Sequence, residues 1–132
     1  MTWGAVFVVF FVSHQVGDYL LQTDWQAVHK RGGLSRDPVA RRALLSHTFT
    51  YWCAYVPAFI WISSRLGWTT LVVAVAVALP HLIQDDARLL LIYLRRVKRL
   101  DPIANNTVAA LVDQAFHVLA LFGAALLVSA LI

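Results

Sequence analysis

The chain has 132 residues, of which 60% are hydrophobic, and its mean hydropathy is +0.68. This composition excludes an ordinary soluble domain, because a domain of this length cannot bury so much apolar surface, and it favours a membrane. The net charge of +4 does not indicate nucleic acid, because most of the eleven Lys and Arg residues lie in two connections beside apolar stretches. Membrane topology and anionic lipid headgroups account for that placement.

Four apolar segments follow one another along the chain, and each has about the length that a helix needs to cross a ~30 Å hydrocarbon core. The first has no basic leader and no small-residue cleavage site after it, so we expect it to be retained as a span. The sequence therefore predicts one all-α domain, residues 1–132, that forms an integral membrane four-helix bundle. The predicted spans are residues 2–21, 43–64, 68–94 and 108–132.

The distribution of basic residues predicts the orientation of this bundle. They are concentrated between the first and second segments and between the third and fourth, whereas the link near residues 63–67 holds only Arg65. The positive-inside rule then places both basic connections in the cytoplasm and both termini on the outer side. We expect a multi-pass protein of the inner (cytoplasmic) membrane of the cell.

Seven histidine and aspartate residues lie inside the predicted spans, where an unpaired ionisable group costs several kcal/mol. With the orientation above, all seven fall in the cytoplasmic half of the bundle. Six of them form pairs four residues apart, so the two members of each pair share one helix face. The seven residues are His14, Asp18, His47, His81, Asp85, Asp113 and His117.

These side chains offer nitrogen and oxygen ligands without a thiolate, a set that suits Zn, Mn or Fe. All seven are candidate metal ligands, and we expect one or two divalent ions, with zinc the first choice. Asp18, Asp85 and Asp113 are also candidate catalytic residues, because the chain contains no Glu to act as a general base. A water activated by the ion suits hydrolysis of a lipid-like substrate at headgroup depth.

The same residues sit in motifs that resemble the DUF3307 family of small bacterial membrane proteins. The resemblance covers essentially the whole chain. Its function is implied only by analogy, since the His-x-x-x-Asp pattern on membrane helices is similar to that of predicted membrane-bound metal-dependent hydrolases. The motifs are His14-x-x-x-Asp18-Tyr19-x-Leu21-Gln22-Thr23-Asp24-Trp25 with Lys30, Leu45-Ser46-His47, His81-x-x-x-Asp85 and Asp113-Gln114-x-x-His117.

Four polar residues next to these motifs are expected to support the ligands or to contact substrate: Gln22, Asp86, Arg88 and Gln114. Asp86 points about 100° away from Asp85 around the helix and is therefore not predicted to be a ligand. Arg88 stands where the family resemblance implies Lys, and we expect it to face a substrate or a lipid headgroup. Thr23 or Asp24 is expected to cap a short helix that reaches Lys30.

Three other functions remain open on sequence grounds. The cluster also suits a proton or metal-ion carrier, although the outer halves of the spans lack polar residues. Two of the four histidines suit a b-type cytochrome, and a scaffold whose polar residues only fix helix packing is a non-catalytic alternative. The expected partners are membrane lipids and a lipid-like substrate, with a homo-oligomer left open and nucleic acid not expected.

Overall fold

The computed structural model describes residues 1–132, and all of its regular secondary structure is helical, which confirms the expected all-α class. The first helix continues into a single π-helical turn at Val16–Leu20, and a 3₁₀ turn at Gly67–Thr69 joins the fourth and fifth helices. The helices are α1 Trp3–Gln15, α2 Asp24–His29, α3 Pro38–Ala54, α4 Val56–Leu66, α5 Thr70–Asp85, α6 Arg88–Arg96 and α7 Asn106–Leu131.

The second and third predicted spans are each divided in the structure. The chain turns at Tyr55, directly before α4 with Pro57 in its first turn, so residues 43–64 are not one helix. Ala87 adopts a left-handed backbone with φ of 62°, which ends α5. Residues 88–96 consequently form a helix of their own rather than the end of the predicted span 68–94.

Two helical stretches are long and apolar enough to cross a membrane by length and composition, Val56–Asp85 and Asn106–Leu131. The first of them reverses direction at Gly67, where φ is 56°. After this turn α5 runs back beside α3, so that His81 meets His47. The stretch Val56–Asp85 is therefore a helical hairpin with two arms.

The long helices pack around one apolar core at one end of the molecule. α1 lies against α7, α7 against α5, and α5 against α3. The histidine and aspartate residues lie in the other half of the helices, near the basic connections. Its buried members are Val6, Phe10, Tyr51, Tyr55, Ala58, Ile62, Leu66, Val73, Val77, Leu121, Ala124, Ala125 and Val128.

The short helix α2 folds back onto α3, and its N-terminus is fixed by a reciprocal capping box. Of the two expected cap residues, Thr23 and Asp24, Thr23 is the N-cap. Its Oγ1 accepts from the Gln26 N–H, and Gln26 Oε1 accepts from the Thr23 N–H. Gln26 also donates from Nε2 to Ser46 Oγ at 3.2 Å. These bonds hold α2 across the polar end of α3, one residue from His47.

The π turn carries Asp18 into the interior and brings the backbone close to α3. Its signature is the bond from Leu21 N–H to the Val16 carbonyl, at 3.0 Å. Gly17 makes this approach possible, because a Cβ added there would lie 2.6 Å from Cδ2 and 3.2 Å from Cα of Tyr51. Any larger side chain would have to displace the Tyr51 ring or the helix itself.

We therefore expect Gly17→Ala to destabilise the protein by about 1–3 kcal/mol, the usual range for overpacking. The matched control is Gly4→Ala in α1, where an added Cβ meets nothing within 4 Å. That change should be neutral or should stabilise the helix by about 0.5–1 kcal/mol. Thermal unfolding of both variants in neutral detergent, followed by circular dichroism, gives the comparison, and equal midpoints would contradict the close packing of Gly17.

Candidate metal centre

Two imidazole nitrogens and two carboxylate oxygens converge between α3, α5 and the π turn. His47 Nε2 lies 2.9 Å from Asp85 Oδ2 and 3.3 Å from Asp18 Oδ1. His81 Nε2 lies 3.0 Å from Asp85 Oδ2, 3.6 Å from Asp18 Oδ1 and 3.2 Å from His47 Nε2. All four side chains are at most 5% exposed. These four residues, Asp18, His47, His81 and Asp85, are called the four-ligand cluster below.

Three atoms of the four-ligand cluster, His47 Nε2, His81 Nε2 and Asp85 Oδ2, are spaced as ligands of one divalent ion. Ligand atoms at about 2.0–2.1 Å from zinc lie roughly 3.3–3.4 Å from one another, and the three separations here run from 2.9 to 3.2 Å. Asp18 Oδ1 lies beside them, 3.3 Å and 3.6 Å from the two nitrogens. Asp18 Oδ1 and Asp85 Oδ2 are also buried, and the nearest groups facing them are the imidazole nitrogens of His47 and His81. A buried carboxylate needs a positive partner, and an ion bound between these atoms would supply it.

Asp85 is the centre of the site, because both of its carboxylate oxygens have partners: Oδ2 contacts His47 and His81, and Oδ1 has two further partners. Lys30 Nζ lies 2.9 Å from Asp85 Oδ1, and His117 Nε2 lies 3.4 Å from the same oxygen. His117 donates from Nδ1 to the Asp113 carbonyl at 2.9 Å, so Nε2 of the neutral ring carries the lone pair. His117 therefore offers one further ligand nitrogen beside the four-ligand cluster.

His14 is held by hydrogen bonds at both ring nitrogens. Its Nδ1 lies 3.3 Å from Tyr51 Oη, and its Nε2 lies 3.0 Å from Gln114 Oε1. A second grouping of possible ligand atoms joins His14 with Asp18 and His81 within 4.8 Å. We favour His47, His81 and Asp85 as the ion position, because their three separations, 2.9 to 3.2 Å, are shorter than the 3.6 Å between His14 Nδ1 and Asp18 Oδ2.

The chain matches the model of a family described as "Protein of unknown function (DUF3307)" over residues 6–131. It belongs to the DUF3307 family. No curated protein and no solved structure matches the chain. The residues in the family motifs of this DUF3307 member are largely those that the fold gathers, since six of the seven histidine and aspartate residues lie within the site described above.

Asp113 is the member of the seven that stays at the edge of the site. Its carboxylate is 28% exposed and lies 3.9 Å from His117 Nδ1, outside the four-ligand cluster. Of the neighbouring polar residues, Gln114 contacts His14, and Gln22 accepts from Lys30 Nζ at 2.7 Å. Both amides therefore contact side chains of the site, His14 and Lys30.

Asp86 and Arg88 bind each other and face away from the four-ligand cluster. Asp86 Oδ1 accepts from the Leu34 N–H at 2.7 Å, and its carbonyl accepts from the Gly32 N–H at 2.9 Å. Arg88 donates from Nε to Asp86 Oδ2, and its side chain is 54% exposed. Asp86 thus anchors the connection after α2, and the expectation that Arg88 faces substrate finds no support in this geometry.

Two residues of the site were not anticipated as functional, Lys30 and Tyr51. Lys30 supplies the cation that we expected from Arg88, because the fold-back of α2 carries its amino group onto Asp85. The Tyr51 ring stacks on His81 with a centroid distance of 3.4 Å and an interplanar angle of 7°. The family motif that contains Lys30 was a sequence signal for that residue. No sequence signal pointed to Tyr51, since an aromatic residue on an apolar helix is typical of core packing.

Proposed function

We propose that the chain is a multi-pass protein of the inner membrane, a four-helix bundle with both termini outside and the basic connections in the cytoplasm. The outward faces of α1, α5 and α7 support this proposal, because they expose apolar side chains that suit contact with lipid. Examples are Val8, Val12, Leu71, Val75, Leu79, Leu111, Leu119, Phe122 and Leu126. The histidine and aspartate residues lie toward the basic connections, and with the proposed orientation the site would lie in the cytoplasmic leaflet.

We further propose that His47, His81 and Asp85 of the four-ligand cluster bind one zinc ion, with a fourth position open to water and with Asp18 and His117 beside it. The observation that carries this proposal is the set of three separations among their ligand atoms, 2.9 to 3.2 Å, in a buried pocket. The ligands come from two helices, α3 and α5, that are distant in sequence. Helix packing therefore fixes their arrangement before an ion arrives, and only the protons must leave.

The activity that this site supports best is hydrolysis of a lipid-like ester. A zinc ion held by His47, His81 and Asp85 would keep a fourth position for water and would lower the pKa of that water to about 7, which supplies a nucleophile at neutral pH. Hydrolysis adds the water oxygen to the acyl carbon or phosphorus and breaks the bond from that atom to the ester oxygen. One water proton passes to the departing alcohol and the other to a base, and Asp113, partly exposed beside His117, is the carboxylate left for that role.

A carrier function is less well supported than hydrolysis. A proton or ion that crossed the bundle would have to pass the buried core beyond Tyr51 and Tyr55, whose remaining members are apolar. The Tyr55 hydroxyl is already used, since it donates to the Phe10 carbonyl at 2.9 Å. The polar groups thus form a pocket at one end of the bundle rather than a path through it.

The test is lipid hydrolysis by the purified full chain in vesicles of phosphatidylglycerol and phosphatidylethanolamine. Zinc-loaded protein should release cleaved lipid, detected by mass spectrometry, and chelation should reduce the rate at least about 100-fold, because a Lewis acid contributes several kcal/mol. Added zinc should restore the rate. Product that does not respond to chelation, or no zinc-dependent product at all, would contradict the proposed activity.

A further inference from the structure

Two cavities of opposite character meet beside the four-ligand cluster. The first has a volume of about 210 Å³ and is mostly polar, and Asp18, Asp85, Lys30 and Arg31 contribute to its wall. The second has a volume of about 410 Å³ and is mostly apolar, with Leu79, Ile83, Leu89 and Phe116 among its lining residues. Gln84, Leu90 and Asp113 line both cavities, so the two are adjacent.

The charge of the polar cavity depends on the ion that we propose. Three carboxylates, those of Asp18, Asp85 and Asp113, face two cations, Lys30 and Arg31. A divalent ion in the four-ligand cluster changes this balance from net negative to net positive. The loaded cavity then favours an anion, and Lys30, fixed by Gln22 at 2.7 Å, has an ammonium group in place to bind one.

The apolar cavity suits a hydrocarbon chain attached to the anion. It lies between α5, α6 and α7, and its volume is within the range of ligand pockets. At the boundary between the cavities, Gln84 Oε1 is buried without a hydrogen-bond partner, while Gln84 Nε2 donates to the Phe116 carbonyl at 3.0 Å. This free acceptor suits a hydroxyl group between the head and the chain of a ligand.

We infer that the substrate is an amphiphile with a phosphate-type head, which binds between Lys30 and the ion, and a hydrocarbon chain, which lies in the apolar cavity. This inference rests on the proposed function, because it places the phosphorus–oxygen ester at the site of hydrolysis. Water adds to phosphorus, the ester bond from phosphorus to the alcohol oxygen breaks, and the departing alcohol takes one proton. The products are an alcohol with the hydrocarbon chain and a free phosphate-type anion.

The experiment is calorimetric titration of the zinc-loaded full chain in dodecyl maltoside micelles, with dodecyl phosphate and inorganic phosphate as separate probes. Lys30→Gln should weaken both probes about tenfold or more, since it removes a charged hydrogen bond of about 1.5–3 kcal/mol. Leu79→Trp should weaken only dodecyl phosphate, again about tenfold or more, because it fills the chain cavity. Dodecyltrimethylammonium, with the same chain and a cationic head, should not bind.

Each variant has a control from the same part of the chain. Arg36→Gln removes an exposed cation outside the polar cavity, and Val75→Trp adds a large ring one turn before Leu79, outside the apolar cavity. Both controls should bind dodecyl phosphate as the wild type does. Zinc content is measured for every sample, so that a variant that has lost its ion is recognised.

The outcomes separate this inference from the function on which it rests. If a Leu79→Trp or Lys30→Gln variant retains zinc and binds dodecyl phosphate as tightly as the wild type, the amphiphile assignment alone is overturned. Binding of inorganic phosphate as tight as that of dodecyl phosphate would also overturn it. Wild-type protein without zinc would instead overturn the proposed function.

Discussion

Asp85→Asn should weaken zinc binding at least about 100-fold, whereas the adjacent change Asp86→Asn should leave the affinity within about twofold. The two aspartates are neighbours in sequence and are both buried. Asp85 Oδ2 lies 2.9 Å from His47 Nε2 and 3.0 Å from His81 Nε2, so it belongs to the four-ligand cluster. An amide at that position keeps the shape of the side chain but removes the negative charge and one ligand oxygen.

Asp86 binds the backbone of the connection after α2 instead of the four-ligand cluster, so Asp86→Asn is a matched control for Asp85→Asn. Its Oδ1 accepts from the Leu34 N–H, and an asparagine oxygen can accept the same bond. The lost ion pair with the exposed Arg88 should lower the stability by at most about 1 kcal/mol. Competition for zinc against a coloured chelator measures both affinities, and equal losses in the two variants would show that the buried pair is structural rather than ligating.

His81→Ala is the second change with a large expected effect. It removes an imidazole whose Nε2 has three atoms of the four-ligand cluster within 3.6 Å. We expect zinc affinity to fall at least about 100-fold, beyond the range typical of residues that only support ligands. The loss of the ring that stacks on Tyr51 will also lower stability, so zinc binding is measured on the monodisperse, helical fraction.

His29→Ala provides the control for this substitution. His29 is exposed, and its Nδ1 donates to the Trp25 carbonyl at 2.8 Å, away from the four-ligand cluster. Its removal should leave zinc binding unchanged. A His81→Ala variant that remains folded and binds zinc as tightly as His29→Ala would exclude His81 as a ligand.

Sequence reasoning predicted the proximity of most histidine and aspartate residues of the site, because the spacing within each pair is a local signal. The pairs four residues apart, such as His81 and Asp85, must share a helix face, and the placement of basic residues indicates one end of the bundle. Six of the seven residues meet on this basis. Asp113 does not join them, since the spacing gives it the same helix face as His117 but does not determine how far its carboxylate reaches into the bundle.

The positions of Lys30 and Arg88 depend on chain reversals, which hydropathy cannot reveal. Lys30 reaches Asp85 because α2 folds back, and a bond between Gly32 and Asp86 holds the following turn. Arg88 lies beyond Ala87, whose left-handed backbone separates α5 from α6 directly after the polar residues 84–86. From the sequence we predicted a cation at the site but named Arg88 instead of Lys30.

The division of the second and third spans has a similar cause. A hydropathy pattern gives the length of an apolar stretch but not the backbone angles within it. Tyr55, before Pro57, interrupts the helix within an apolar run, whereas Ala87 separates α5 from α6 just after the polar residues 84–86. Tyr51 was hidden for another reason, since its stacking on His81 arises only when α3 and α5 pack together.

The most direct test of the central proposal is X-ray absorption at the zinc edge of the purified wild-type protein. We predict four nitrogen or oxygen ligands at about 2.0–2.1 Å, with the outer-sphere scattering of two imidazole rings and no sulfur. The single cysteine, Cys53, is exposed and lies outside the four-ligand cluster, so it should not contribute. A zinc–sulfur distance of about 2.3 Å, or purified protein that retains no zinc when it is supplied, would contradict the proposed metal centre.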